Sequence, residues 1–375
     1  MPVDKKLILF SYDFPPSNGG IARLCVEIAS GMNVYYDSVI VLTRKNEGEN
    51  FPYNLKDVEI ITLPEKRIVC EIKALLFLSK LKNKEKYDIL CGTWHPESTL
   101  ALFSGFKNVF VLGHGTEFLS AHSFFRKKIW LGQYANFILK KSKLIIANSN
   151  YTKGLIHTIS HQSMNYALPL AVNHHFFKPL ETEKLQSHQL KIGIVSRIEQ
   201  FKGHDFIINV IAKLPVAYRN QIEFNIAGTG PYRAELVKLA DNLGLNNQVK
   251  FHGYVKDLDL PNFYTTNDLF ILCSRENPDS ISVEGFGLVL LEAQACGLAV
   301  IGANTGGIPD AIDHENGGWL IHQDNEAELR ELLIRLLDDR TIITKMGIAA
   351  RNRVLEGYTW DIYCSKLFQL MQNHV

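Results

Sequence analysis

Short apolar runs rich in β-branched residues alternate with longer segments of helical period along almost the whole chain. In the first half the runs are Leu7–Ser11, Val39–Thr43, Asp88–Cys91, Val109–Leu112 and Leu144–Asn148. After a break come Lys191–Ser196, Glu223–Ala227, Val249–His252, Asp268–Cys273, Ala299–Gly302 and Gly318–Ile321. Between them lie segments of helical spacing such as Ile21–Met32, Phe206–Leu214, Pro231–Leu243 and Glu326–Asp338. Strands that alternate with helices need crossover connections, and these build parallel sheets with helices on both faces. Two such series in 375 residues predict an α/β chain of two Rossmann-like lobes. The divider is Leu170–Leu190, which holds Pro179, mixed charges and no steady period. The expected division is therefore a domain over 1–170, a linker over 171–190, a second domain over 191–357 and a C-terminal segment over 358–375. In that last segment Ile362, Tyr363, Leu367, Leu370 and Met371 fall at helical spacing.

Composition excludes several functions. The chain is 46% hydrophobic and 21% charged, enough to bury a sizeable core. With 40 basic and 39 acidic residues the net charge is +1, which announces no nucleic-acid partner. No apolar run approaches the roughly 18 residues of a membrane span. The opening MPVDKKLILFSYDF reads as a first strand rather than a signal peptide, so a cytoplasmic protein is expected. Six scattered cysteines form no C-x-x-C pair and read as buried reduced thiols. Charge is unevenly spread: residues 1–170 hold 21 basic and 14 acidic residues, the remainder 19 and 25. That asymmetry suits two lobes of opposite sign facing each other. Lys73, Lys80, Lys82, Lys84 and Lys86 stand among Leu75, Leu76, Phe77, Leu78 and Leu81, and Phe124–Lys128 repeats the mixture. A solvated helix face explains such runs; contact with an anionic membrane surface, peripheral to the inner face of the cytoplasmic membrane, is the hypothesis set beside it.

In open α/β sheets ligands bind beyond the carboxyl ends of strands, and in a two-lobed form this puts the site in the cleft between lobes. Six strand-end loops carry candidate chemistry. Phe14–Ile21 places Gly19 and Gly20 at a helix start, where backbone N–H groups can approach an anion; an ordinary turn is an equal reading. It is neither a dinucleotide fingerprint nor a Walker A loop. Gly113-His114-Gly115-Thr116-Glu117 follows an apolar strand, with His114 as a cleft residue and Glu117 as a cleft carboxylate or helix-start residue. Ser196–His204 sets Arg197 and Lys202 on one loop before a helix, as a diphosphate requires. The next strand ends in the glycine turn Gly228-Thr229-Gly230. Glu284 and Glu292 stand eight residues apart around Gly287 and Leu288 in apolar surroundings, and either carboxylate can accept sugar hydroxyls. Gly302–Asp310 is a further glycine-rich turn, structural in its simplest reading.

Together these motifs resemble the GT-B glycosyltransferases, most closely the retaining family 4 group. Glu284–Glu292 is similar to that family's E-x7-E motif, within VEGFGLVLLEAQACGLAVIGANTGGIPDAI. SRIEQFKGHD resembles its diphosphate loop, IAGTGPYRAEL its next glycine turn and FPPSNGGIARL its N-terminal glycine loop. GHGTEF resembles the variant of bacterial phosphatidyl-myo-inositol-type mannosyltransferases.

The resemblance implies a GT-B fold with a C-terminal helix crossing back to the first lobe. It implies that Glu292 accepts ribose hydroxyls and Glu284 donor-sugar hydroxyls, with the backbone of Gly287 and Leu288 nearby. Arg197 and Lys202 would hold the diphosphate, Gly20 would touch it from the opposite lobe, and Tyr254 and Val255 would meet the base. His114 would lie near the reacting carbon. The implied activity is retaining, metal-independent hexosyl transfer from a nucleotide-diphosphate sugar to a glycan or lipid-linked acceptor, in cell-surface polysaccharide, lipopolysaccharide or glycolipid synthesis. GDP-mannose is the favoured donor, UDP-linked glucose or N-acetylhexosamine the alternative. No cofactor beyond the donor is expected, and no D-x-D run stands in a convincing site context. A sugar-nucleotide epimerase and a non-catalytic sugar-nucleotide-binding protein are the competing readings.

Overall fold

The computed structural model describes residues 3–17, 19–45, 55–180, 188–277 and 280–374. Asn18 of the first glycine loop, residues 181–187 of the expected linker and residues 278–279 of the loop before Glu284 lie outside the described residues. The chain divides into two compact units, Met1–Pro169 with Trp360–Val375, and Leu170–Thr359.

The first unit is built on the strands β1 (Val3–Phe10), β2 (Tyr36–Arg44), β3 (Val58–Leu63), β4 (Tyr87–Cys91), β5 (Val109–Gly113), β6 (Leu144–Ala147) and β7 (Asn165–Ala167). They form one parallel sheet in the order β3-β2-β1-β4-β5-β6-β7. The central strands read as continuous apolar runs because helices cover both faces; Leu7, Ile8, Leu9 and Phe10 are all fully buried. The edge strands escaped the sequence reading for the opposite reason. In β3 only Leu63 is buried, and β7 is three residues long with no buried side chain, so neither carries an apolar run.

The second unit carries β8 (Leu190–Val195), β9 (Ile222–Ala227), β10 (Val249–Gly253), β11 (Leu269–Leu272), β12 (Ala299–Ala303) and β13 (Gly318–Ile321). Their parallel order is β10-β9-β8-β11-β12-β13. The stretch expected as a linker is packed over its described part. Val172 and Phe177 are buried in the core of the second unit, and the Arg351 guanidinium donates to the carbonyls of Phe177 and His174 at 3.0 and 3.2 Å. Its polar composition concealed these few apolar anchors, and Leu190 already belongs to β8.

The C-terminal helix Trp360–Gln372 belongs to the first unit, on which Tyr363, Cys364, Leu367 and Met371 are buried. Phe368 stacks on Tyr35 with ring centroids 4.8 Å apart. At its end the Gln372 amide donates to Asp88 Oδ2 at 3.3 Å. Asp88 is fully buried and also receives Lys5, Tyr36 and Asn108 at 3.1, 3.0 and 3.0 Å, so this charge is compensated by four donors. All six cysteines are free and buried, and burial pushes the Cys25 thiol up to about 12.

Candidate active site

Each sheet reverses its strand order once, between β1 and β4 in the first unit and between β8 and β11 in the second. Loops leaving the carboxyl ends of strands at such a reversal diverge and leave a crevice. The first glycine loop follows β1, the Arg197–Lys202 loop follows β8 and Glu284 follows β11, all at these reversals, while the motifs of His114, Gly228 and Gly307 follow the further strands β5, β9 and β12.

In the second unit, the loop after β8 holds Arg197 and Lys202, and the chain after β11 leads to Glu284. Lys202 Nζ donates to Glu284 Oε2 at 2.6 Å across 82 residues of sequence. The two side chains are only 16% and 17% exposed, so the pair is partly desolvated and less screened by water and salt than a surface ion pair. Arg197 does not share this partner. Its side chain is 79% exposed and reaches Glu199 Oε1 at 2.8 Å. The two cations of one loop thus engage different carboxylates.

The loop is held by backbone contact with the glycine turn after β9. Ile198 N donates to Thr229 O at 2.8 Å, and Tyr232 N to Ile198 O at 3.1 Å. A Cβ on Gly228 would stand 1.8 Å from the Ser196 carbonyl oxygen, and one on Gly230 would stand 2.2 Å from that of Ile198. Gly228 N also donates to Gly253 O at 2.6 Å, bringing in the end of β10. Exposed Tyr254 and half-buried Val255 follow directly.

The glycine-rich turn after β12 is part of the same assembly, where the sequence allowed a purely structural turn. Gly307 N donates to Glu284 O at 2.8 Å, and Thr305 Oγ1 donates to Ser274 O at 2.7 Å. Gly287 is the N-cap of the helix Leu288–Ala295, with no side chain capping it. Leu290 N donates back to Gly287 O at 2.9 Å, and the N–H groups of Leu288 and Val289 precede any i−4 acceptor within the helix. Glu292 lies in this helix and is 2% exposed, and the Tyr264 hydroxyl donates to its Oε2 at 2.6 Å. Tyr264 was invisible in the sequence, where it stands in an undistinguished run, Asn262-Phe263-Tyr264-Thr265.

In the first unit, Gly19 and Gly20 are exposed at the N-terminus of the helix Gly20–Met32, which has no side-chain cap and no acidic residue in its first turn. A Cβ at either glycine would meet nothing within 4 Å, so the space before this helix end is open. His114 follows β5, and its Nε2–H donates to the Gly92 carbonyl at 2.7 Å. Glu117 Oε1 accepts from His114 N at 2.6 Å, so Glu117 closes the turn.

Glu97 also belongs to this end of the sheet, and the sequence reading passed it over. Its Oε1 accepts from Tyr12 N at 3.1 Å and its Oε2 from Thr93 Oγ1 at 2.5 Å, which ties the loop after β1 to the loop after β4. The available signal was a stretch containing Thr93, His95, Glu97 and Ser98 just after an apolar strand. Burial raises this carboxyl to about 7, against the pull of its hydrogen bonds. An unfolded chain releases the proton near 4.5, so the extra stability is full below that pH and is lost as the pH rises through 7. Unfolding free energy is expected to fall by on the order of 2–3 kcal/mol between pH 5 and 8. Glu97→Gln should flatten that slope in urea titrations at stepped pH; an unchanged slope would assign it to other groups.

Residues 178–353 match the family described as Glycosyl transferases group 1. Over its full length the chain is 26% identical to a GDP-mannose-dependent monoacylated alpha-(1-6)-phosphatidylinositol monomannoside mannosyltransferase of Corynebacterium glutamicum, covering 99% of that protein. It is 31% identical over 181 residues to a GDP-mannose-dependent alpha-(1-6)-phosphatidylinositol monomannoside mannosyltransferase of Mycobacterium tuberculosis, covering 48% of this chain and 46% of that one. Among solved structures it resembles Anabaena HepE in complex with UDP, with a TM-score of 0.78 and 18% identity, covering 98% of this chain and all of the other. The two parallel-sheet domains give the chain the GT-B fold, and residues 178–353 form a domain matching Glycosyl transferases group 1.

Proposed function

We propose that this glycosyltransferase is a retaining hexosyltransferase, moving mannose from GDP-mannose to a glycan or lipid-linked acceptor in cell-surface polysaccharide or glycolipid synthesis. The observation that carries the reading is the partly buried Lys202–Glu284 pair at the strand-order reversal of the second unit. The identity of donor sugar and base leans on the full-length similarity to the Corynebacterium mannosyltransferase.

Charge grows on the diphosphate as it departs, and a fixed cation aimed at it stabilises the transition state more than the ground state. Lys202 is that cation. Glu284 holds its ammonium in place and offers its other oxygen to sugar hydroxyls. Arg197, on a solvated arm, adds a second contact to the diphosphate, and the first-turn N–H groups at Gly287 and Leu288 add backbone donors. Gly228 and Gly230 keep the loop close to the ligand's path, and Tyr254 and Val255 serve the base. In the first unit, His114 and the open helix end at Gly19 and Gly20 take part in donor handling. Attack on the face the leaving group vacates retains configuration, with the departing phosphate taking the acceptor proton and no metal ion required. His114→Ala should lower turnover at least tenfold with little change in thermal stability, since its described ring contact is one carbonyl.

Membrane contact is proposed for the helix Arg67–Lys80 and the segment after it, where Ile68, Ile72 and Leu76 are exposed beside lysines. No described helix is long and apolar enough to cross a membrane. Co-sedimentation with anionic vesicles that survives charge reversal of Lys73, Lys80 and Lys82 would remove this part.

The test of the donor is a thermal-shift comparison of GDP, UDP, ADP and their common sugars, with and without magnesium. Selective stabilisation by GDP and GDP-mannose, unaffected by magnesium, is the expected result. Selective response to UDP would replace mannose with a UDP-linked hexose or N-acetylhexosamine. No response to any of them would favour a non-catalytic protein. Glu292→Ala should weaken nucleotide binding at least tenfold in calorimetric titration, because a buried carboxylate acceptor is lost.

A further inference from the structure

Two polar groups in the loop after β8 have no part in the reading above. His204 opens the helix His204–Ala212 and is fully buried. Its Nε2 lies 3.0 Å from Ser196 Oγ. Its Nδ1 is buried with no hydrogen-bond partner among the described residues. Ser196 immediately precedes Arg197, is half-buried, and has the Gly228 backbone packed against its carbonyl.

Burial and the neighbouring Lys202 push His204 down to about 4, so the ring is neutral and carries one proton. A buried N–H without an acceptor is rarer and more costly than a buried lone pair without a donor. With Nδ1 orphaned, the proton belongs on Nε2. Nε2–H then donates to Ser196 Oγ, and the serine hydroxyl hydrogen is left to donate elsewhere. The opposite tautomer would make Ser196 donate to Nε2 and turn oxygen lone pairs outward, which repels an anion. Hydroxyl direction beside Arg197 is thus set by a histidine that no ligand reaches.

We infer that Ser196 is a further binding residue of this site, donating its hydroxyl hydrogen to a diphosphate oxygen of the donor, and that His204 is a positioning residue acting through it. The inference rests on the reading of this loop as a diphosphate site. It adds a neutral donor whose hydrogen is kept off the histidine and left for the anion, so that no existing hydrogen bond of the hydroxyl is broken when the anion arrives.

The experiment is a double-mutant cycle read by calorimetric titration with GDP and with UDP, alongside guanosine and uridine. Ser196→Ala should lower affinity for the binding diphosphate about tenfold and leave that for its nucleoside unchanged. His204→Phe, which keeps the ring volume, should lower diphosphate affinity in the wild-type background and cause no further loss in the Ser196→Ala background. Nitrogen-15 spectra of the His204 ring should show an unprotonated Nδ1 between pH 6 and 8, a readout independent of whether His204→Phe folds. Unchanged diphosphate affinity in Ser196→Ala, equal losses from His204→Phe in both backgrounds, or a protonated Nδ1 would each overturn the inference. Lys202→Ala separates the two levels. If it slows single-turnover transfer by two to three orders of magnitude while Ser196→Ala leaves diphosphate affinity unchanged, only this inference falls; if Lys202→Ala leaves the rate unchanged as well, the reading of the loop falls with it.

Discussion

Replacing Lys202 by alanine is expected to slow glycosyl transfer by two to three orders of magnitude, with a much smaller change in donor affinity. The size follows from what one preorganised charged donor contributes against a developing negative charge, about 3–4 kcal/mol in a water-poor site. Lys202 qualifies because its side chain is 16% exposed and its ammonium is already fixed 2.6 Å from Glu284, so little reorganisation remains when charge appears on the leaving group. Arg197, at 79% exposure, is screened by water and should cost less when removed. The ranking is therefore Lys202→Ala well below Arg197→Ala in single-turnover rate at saturating donor. Equal, modest losses would mean that the Lys202–Glu284 pair is only a structural brace. Thermal melts of the same variants separate the two effects, since Lys202→Ala also leaves Glu284 without its cation.

Gly228→Ala is expected to damage the second unit more than any surface substitution. The residue has φ +131°, a region that favours glycine, and an added Cβ would meet the Ser196 carbonyl oxygen at 1.8 Å. Both atoms belong to backbone that is hydrogen-bonded to neighbouring strands, so neither can rotate away. Either the β9 turn shifts, or the loop of Ser196, Arg197 and Lys202 moves off its support. A loss of about 3 kcal/mol or more in urea unfolding is expected, with nucleotide binding reduced at least tenfold in the folded fraction. Gly154→Ala is the matched control, because a Cβ there meets nothing within 4 Å. Native stability together with native nucleotide binding in Gly228→Ala would show that this contact yields cheaply.

Much of the fold was legible because its signal is local. Central strands such as β11 and β12 are unbroken runs of buried residues, and the helix Glu326–Asp338 has the bounds its period predicts. The edge strands β3 and β7 of the first sheet were not legible, because a strand half in water needs no apolar run, whereas the edges β10 and β13 of the second sheet were. Of the site, the glycine turns and the residue types were visible, since a turn at a strand end has its own chemistry. Buried polar residues without a motif, such as Glu97 and Tyr264, were not, because only their surroundings distinguish them from surface residues.

The sequence by itself determined the alternation of strand and helix, the doubling of the α/β unit, and which loops hold cations, carboxylates and glycines. These follow from period, turn propensity and side-chain type over ten residues or fewer. Tertiary structure alone decided who partners whom. Lys202 meets Glu284 across 82 residues, and Tyr12 meets Glu97 across 85. Both pairs exist because each sheet reverses its strand order beside its first strand. Strand order is chosen by the packing of a whole domain, and no short stretch of chain contains it.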